Sequence, residues 1–189
     1  MRQIGRKEIG GDSMMHRKLF WGFALATGIV LVSVLIVANW RANVLPFGVQ
    51  ADRIEVFKSK HLMLLLNGSK TLKSYTVSLG RGSSGPKVME GDGRTPEGTY
   101  KIDFRNKESR FHLSLHVSYP DSAATRRAQQ LHVSPGGAIM IHGIRNGLGW
   151  IGKFHRLIDW TDGCIAVTNP EIEEIWAAIP DGVPISIYP

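Results

Sequence analysis

The chain of 189 residues contains a single cysteine, Cys164, whose sequence surroundings are typical of a nucleophile. It lies in the segment DWTDGCIAV, residues 159–167. A lone thiol cannot form an intramolecular disulfide, so it is either buried and inert or used in chemistry. His142, in the segment IMIHG, is the candidate base, because a neighbouring imidazole promotes the thiolate form. A thiol and an imidazole together predict acyl transfer through a thioester.

Glycines adjoin both of these residues. Gly143 follows the histidine and Gly163 precedes the cysteine. A residue without a Cβ permits a sharp turn and a close approach of substrate. The backbone N–H groups at Gly163 and Cys164 are therefore predicted to hold a developing oxyanion. The alternative is that Cys164 is a buried structural thiol and His142 a core histidine, since by residue type alone His132 or His155 would serve equally well as a base.

The elements that must position these residues are mostly short β-strands, because apolar and polar residues alternate in several segments. One helix is predicted after the cysteine, where Thr168 or Asn169 fits the N-cap and Pro170 the first turn. Residues 82–98 are rich in Gly, Ser and Pro and are predicted to be a loop, and residues 121–130 a helical or irregular crossover. The predicted strands cover residues 54–56, 61–66, 75–79, 99–104, 111–117, 139–141 and 183–188. The sum is a small, mainly β domain with one or two short helices.

Two histidines, His112 and His116, fall on one face of the strand predicted at residues 111–117. Two imidazoles on one strand face could bind a metal, but the sequence offers no evident third ligand. We therefore predict neither a metal nor another cofactor.

The N-terminal segment predicts a membrane anchor. Residues 19–40 carry no charge and are long enough to cross a hydrocarbon core of about 30 Å as a helix. Basic residues dominate residues 1–18, which places this tail in the cytoplasm and the rest of the chain on the far side. Residues 41–50 are predicted to be a linker and residues 51–189 the exported domain. A cleavable signal peptide is the rival interpretation, although its apolar core is usually shorter.

The charge of the chain limits the choice of partners. The formal net charge of +7 includes the basic tail, and the remaining Lys and Arg residues form no block. A dispersed charge is typical of a solvated surface, and the alternative is affinity for an anionic polymer of the cell envelope. Nucleic acid is excluded as a partner, because the domain is predicted to lie across a membrane from it.

Three motifs in this order resemble the signature of the L,D-transpeptidases of the YkuD type. They are a Thr-Pro-x-Gly stretch at residues 95–98, His-Gly at 142–143, and Thr-x-Gly-Cys at 161–164. The Asp-Trp-Thr-x-Gly-Cys-Ile-Ala pattern is similar to that of the murein transpeptidases related to YafK. The resemblance covers residues 51–189, and it implies a YkuD-like catalytic domain with a β-sandwich or barrel-like fold.

The resemblance also implies a peptidoglycan substrate and a role for each matched residue. Cys164 would attack the carbonyl at the L-centre of diaminopimelate in a tetrapeptide stem and release D-alanine. An amine would then resolve the thioester, forming a 3–3 cross-link or attaching a lipoprotein. His142 would be the general base, Thr161 would help to orient its imidazole, and Gly163 would lie beside the oxyanion hole. The implied location is the cell inner membrane, with a single span and the catalytic domain in the periplasm.

The chain departs from the family at Asp162, where a second histidine is usual. This aspartate either faces the ammonium group of diaminopimelate or is a turn residue, and close to sulfur it would oppose thiolate formation. Arg145 and Arg156 flank the site, and a guanidinium group pairs well with the carboxylates of a stem peptide, although surface solvation is the alternative. Gly143 and Trp160 complete the predicted substrate-binding set.

Three functions remain open at this point. The first is the transpeptidase. The second is a hydrolase of the same chemistry, in which water resolves the thioester and so cleaves cross-links or releases a lipoprotein. The third is a catalytically silent module that binds peptidoglycan. The cysteine site does not separate the first two, because that choice depends on how well the acceptor groove excludes water.

Overall fold

The computed structural model describes residues 11–40, 43–82 and 84–189, with side chains described from residue 16 onward. The chain divides into two units, Met1–Trp40 and Arg41–Pro189. Residues 1–10 of the predicted cytoplasmic tail lie outside the described residues.

The first unit contains helix α1, Gly11–Asn39. Its segment His16–Asn39 has a mean hydropathy of 2.4 over its most apolar window, and none of that window is buried. By length and composition this helix can cross a membrane, and a signal sequence would meet the same two criteria. The predicted apolar helix is therefore present.

The second unit is built on one eight-stranded sheet. Its strands follow the order β3-β2-β1-β8-β4-β5-β6-β7 across the sheet. The pairs β1–β8 and β6–β7 are parallel, and the other neighbours are antiparallel. The strands are β1 Arg53–Phe57, β2 Leu62–Asn67, β3 Lys70–Thr76, β4 Gly98–Ser109, β5 His112–Val117, β6 Met140–His142, β7 Ile165–Ala166 and β8 Pro184–Tyr188.

The alternating apolar residues predicted from the sequence form the core of the domain. Ile54 and Val56 of β1 are buried, while Glu55 between them is half-buried. The strand predicted at residues 99–104 is longer than expected, because its far half continues to Ser109 as one arm of a hairpin with β5. This far half is exposed or half-buried at nearly every position, so it lacks the buried apolar residues that would mark a strand in the sequence.

The two edges of the sheet meet beyond the end of β3. Ser78 pairs with Ala166 of β7, and Gly80 pairs with Thr161. Two backbone hydrogen bonds of 3.0 Å and 2.8 Å join Ser78 and Ala166. These bridges curl the sheet upon itself, which agrees with the predicted barrel-like fold, and they bring the segment after β3 to the cysteine.

Two further helices complete the domain. The crossover predicted at residues 121–130 is helix α2, Ser122–Gln130, with Asp121 as its N-cap. The helix predicted after the cysteine is α3, Asn169–Ala178. Its N-cap is Thr168, which forms a capping box with Glu171. Helix α3 packs against β5 and β6, so its capped end lies close to the strand that carries His142.

Candidate active site

Cys164 and His142 lie on neighbouring strands. β6 and β7 are parallel, with Ile141 opposite Ile165 and His142 opposite Ala166. Cys164 immediately precedes β7, so it shares a face with His142, and strand geometry puts their Cα atoms roughly 8 Å apart. The sulfur accepts a hydrogen bond of 3.4 Å from the Met140 N–H, and it is half-buried. The structure thus brings together the two residues singled out in the sequence.

The tautomer of His142 follows from its surroundings. Its Nδ1 lies 2.6 Å from the carbonyl oxygen of Gly143. A carbonyl only accepts, so Nδ1 carries the proton and Nε2 keeps a lone pair. The ring is buried against Phe111 at 4.6 Å and Trp160 at 5.6 Å, measured between ring centroids. Burial lowers the pKa of His142 to about 4. At neutral pH it is therefore an uncharged base.

The sulfur is uncharged as well. Burial raises the pKa of the Cys164 thiol, and the carboxylate of Asp162 acts in the same direction. The hydrogen bond from Met140 and the ammonium group of Lys87 oppose this without reversing it. The expectation that the imidazole readily ionises the sulfur is not met in the resting structure. The site holds a neutral thiol beside a neutral imidazole, and the proton must move when the sulfur attacks.

Thr161 holds the turn that presents the cysteine. Its hydroxyl accepts from the Gly163 N–H at 3.2 Å and donates to the Cys164 carbonyl at 2.8 Å. Gly163 has φ +119°, and a Cβ there would lie 2.6 Å from the Arg94 carbonyl oxygen. The predicted role of Thr161, orienting the imidazole, is therefore replaced by orientation of the cysteine backbone. The carbonyl of Gly143 orients the imidazole instead.

One of the two predicted oxyanion donors is already engaged. The Gly163 N–H donates to Thr161, whereas the Cys164 N–H has no acceptor among the residues that the structure describes. An N–H group without a partner beside the sulfur is available to a developing negative charge. The geometry therefore supports Cys164, and not Gly163, as the donor.

The loop predicted at residues 82–98 contacts this turn. Lys87 and Asp92 form an ion pair of 2.8 Å with both side chains largely buried. Burial opposes ionisation of Asp92, but hydrogen bonds from Lys87 and from the Val88, Arg94 and Met89 N–H groups prevail and lower its pKa to about 2. Arg94 in turn places its carbonyl oxygen against Gly163. No local sequence pattern predicts that Lys87 is buried.

The residues predicted to bind substrate separate into exposed and structural ones. Arg145 is exposed, and Asp162 is exposed and pairs with Arg81. Arg156 is half-buried and forms an ion pair with Glu171 of the α3 capping box, so its guanidinium is committed to the fold. Gly143 needs no unusual backbone angle; its lack of a Cβ matters because one would lie 2.7 Å from Asn169 Oδ1.

Trp160 is partly exposed, and it packs against His142, the predicted base. Its indole packs edge-on against His142, and its Nε1–H donates to His155 Nδ1 at 3.4 Å. His155 is buried; burial first, and then the charge of Arg156, lowers its pKa to about 4. His155, the alternative base by residue type, thus forms a hydrogen bond with Trp160. The surrounding segment Gly149–Leu157 is a 3-10 helix kinked at Gly152.

The strand-face histidines have separate partners. His112 Nε2 lies 2.9 Å from Glu173, and His116 Nδ1 lies 2.6 Å from Asp103. Among the described parts of the chain, no three His, Cys, Asp or Glu side chains are grouped as a metal site would require.

The chain matches known proteins in sequence and in fold. The family model of the YkuD L,D-transpeptidase catalytic domain matches residues 51–187. A putative L,D-transpeptidase of Escherichia coli K12, YafK, is 29% identical over 150 residues, which cover 72% of this chain and 53% of YafK. The chain thus spans about half the length of the curated relatives that it matches.

Solved structures show the same fold. The helical cell shape determining protein Pgp2 of Campylobacter jejuni superposes with a TM-score of 0.55 at 19% identity, over 82% of this chain and 53% of Pgp2. Bd1075 of Bdellovibrio bacteriovorus gives a TM-score of 0.52 at 21% identity, over 77% of this chain and 51% of Bd1075. The family match spans the curled sheet and includes both Cys164 and His142. The chain belongs to the YkuD family of L,D-transpeptidase catalytic domains.

Proposed function

We propose that the protein is a peptidoglycan L,D-transpeptidase that works through a thioester on Cys164. The single observation that supports this proposal is the pairing of β6 with β7, which puts Cys164 and His142 on the same face of neighbouring strands, together with the unprotonated Nε2 of His142. A base in that tautomer can accept the thiol proton directly. The family match supports a stem peptide as the substrate.

The first half-reaction transfers an acyl group to sulfur. As the sulfur attacks the carbonyl at the L-centre of diaminopimelate, the thiol proton moves to His142 Nε2. The Cys164 N–H stabilises the tetrahedral oxyanion. The imidazolium then returns its proton to the leaving amine, the C–N bond breaks, and D-alanine departs. The product is a thioester and a neutral imidazole.

The second half-reaction reverses these roles. An acceptor amine attacks the thioester, His142 takes a proton from it, and the sulfur leaves and regains a proton. The acceptor is a second diaminopimelate, giving a 3–3 cross-link, or a lipoprotein lysine. Phe111 and Trp160 cover the imidazole with apolar surface, which limits the access of water to the base.

In this proposal α1 is a retained anchor in the cell inner membrane. It would leave the catalytic domain in the periplasm, where peptidoglycan lies. The uncharged span of α1 and the basic residues that precede it support this orientation.

The test is intact mass spectrometry of the full chain in detergent after incubation with a tetrapeptide stem. The expected result is an adduct of the stem minus D-alanine, mapped to Cys164 and missing in Cys164→Ala. A second readout follows the products. Cross-linked dimers indicate transfer, and shortened stems alone indicate the hydrolase. If no adduct forms while Cys164 still reacts with iodoacetamide, the chain is a silent binding module and the proposal is wrong.

A further inference from the structure

An exposed ion pair lies beside the nucleophile. Arg81 Nη2 is 2.7 Å from Asp162 Oδ1, and the two side chains are 67% and 76% exposed. Asp162 stands two residues before Cys164, in the turn that presents the nucleophile, and its charge is one of the causes that raise the pKa of the thiol. Arg81 comes from the other edge of the curled sheet, just past Gly80. The pair therefore joins two remote segments at the edge of the site.

The fold does not need this pair. The two segments are already held by backbone hydrogen bonds, from Arg81 N–H to the Thr161 carbonyl at 2.9 Å and from Thr161 N–H to the Leu79 carbonyl at 3.2 Å. Ion pairs as exposed as this one contribute little to stability. Asp162 also works against the chemistry of its neighbour, because its charge raises the pKa of the Cys164 thiol. Because this carboxylate neither stabilises the fold appreciably nor promotes the thiolate, we infer that it binds a ligand.

The pair is complementary to one kind of ligand. An amino-acid headgroup carries an ammonium and a carboxylate on the same carbon. A guanidinium binds a carboxylate through two parallel hydrogen bonds, and an aspartate accepts from an ammonium. Such a headgroup can replace the contact between Arg81 and Asp162 with one contact to each, and the weak pair costs little to open. The backbone bonds keep both segments in place during this exchange.

The substrate of the proposed function has such a headgroup at a suitable distance. Diaminopimelate offers its L-centre carbonyl to the sulfur and ends in a D-centre with free ammonium and carboxylate. Three methylene groups separate the two centres, which lie about 5 Å apart, and two residues of protein backbone span at most about 7 Å. A carbonyl at Cys164 therefore leaves the D-centre within reach of Asp162.

We propose that Arg81 and Asp162 form a subsite for the zwitterionic D-centre of diaminopimelate, in which Arg81 binds the carboxylate and Asp162 binds the ammonium. This inference rests on the proposed function. It makes the pair a determinant of specificity that distinguishes diaminopimelate stems from stems with other diamino acids.

Three tetrapeptide donors distinguish the proposed contact of Arg81 from that of Asp162. The first is a tetrapeptide with diaminopimelate, the second has the D-centre carboxylate amidated, and the third has lysine, which keeps the ammonium but lacks the carboxylate. The measurement is the second-order rate of Cys164 acylation in the full chain in detergent, by intact mass. The wild-type protein is expected to prefer the first donor over the other two by about 10-fold or more, as for a charge-assisted bidentate contact.

Each variant predicts a different pattern. Arg81→Ala is expected to remove the preference, slowing the first donor to the rate of the other two and leaving the lysine donor nearly unchanged. Asp162→Asn is expected to slow all three donors, since each carries the ammonium. Because Asp162→Asn also alters the thiol pKa, rates are divided by the rate of alkylation with iodoacetamide. Arg126→Ala, an exposed arginine on α2, controls for the loss of one positive charge and is expected to retain the preference.

Two results would overturn the subsite. One is a wild-type protein that acylates equally with all three donors, and the other is an Arg81→Ala variant that keeps the preference or slows every donor alike. Failure of the proposed function is distinct, because then no donor gives an adduct although iodoacetamide still modifies Cys164.

Discussion

Replacing Thr161 with valine tests the turn that presents the nucleophile. Valine keeps the shape of the buried side chain and removes its hydroxyl, so Gly163 N–H and the Cys164 carbonyl both lose their partner. Each unpaired buried group costs about 1–3 kcal/mol, and with the Cys164 end half-buried the sum is about 2–4 kcal/mol. For a domain of this size that corresponds to a fall in Tm of about 6–12 °C.

The functional effect of Thr161→Val is separate from its effect on stability. Without the hydroxyl the backbone at Cys164 is no longer fixed, and a misplacement of about 1 Å lowers an acylation rate about 100-fold. Acylation is followed by intact mass well below the variant's Tm. Thr161→Ser, which retains both hydrogen bonds, is the matched control and is expected to keep most of the rate and of the Tm.

The same variant distinguishes two roles of Thr161. If it orients the cysteine, as the hydrogen bonds indicate, the titration of His142 followed by NMR stays unchanged in Thr161→Val. A shifted pKa or a changed tautomer of His142, together with an unchanged Tm, would refute this reasoning and restore the role of orienting the imidazole.

The remaining predictions concern the same turn and the buried charges. Gly163→Ala meets the Arg94 carbonyl at 2.6 Å and an unfavourable φ, so we expect a loss of at least about 2 kcal/mol in urea unfolding, and a wild-type midpoint would contradict it. Alkylation of Cys164 should be slower at neutral pH than that of a model thiol and should still rise above pH 9, because burial raises its pKa; a plateau from acid pH would indicate a resting thiolate instead. Asp92 has a depressed pKa of about 2, so its contribution of about 2 kcal/mol to the free energy of unfolding is complete above about pH 4 and is lost as the pH falls toward 2. In the Asp92→Asn variant, the free energy of unfolding should not show this loss between about pH 4 and pH 2. The pKa of His155 is lowered to about 4, so below about pH 6.5 the unfolded chain takes up a proton at this residue that the folded chain does not. The free energy of unfolding should therefore decline from about pH 6.5 to about pH 4. A His155→Gln variant with an equally steep decline would rule out this contribution.

Local sequence signals were sufficient for much of the fold. Strict alternation located β1, and the capping residues located α3, where the structure selects Thr168 and not Asn169 as the N-cap. These signals succeed because each is decided by neighbours within a few residues. The length of β4 was missed, since its extension depends on pairing with β5.

The candidate site was predictable in its reactive residues and not in its supports. Cys164 and His142 stand out by type and by the glycines beside them. Arg81 and Lys87 reach the site across long sequence intervals, through the curl of the sheet and the packing of a loop. The commitment of Arg156 to Glu171 likewise depends on where α3 docks. No local pattern encodes such contacts.

The protonated state of Cys164 bears on how long the residue survives unused. Peroxides and disulfide oxidants react with thiolates far faster than with thiols. A sulfur that carries its proton until a substrate carbonyl arrives is thereby shielded from sulfenic acid formation. Burial lowers the reactivity of Cys164 in the absence of substrate. It would therefore also protect this cysteine from oxidation in surroundings where exposed thiols are oxidised.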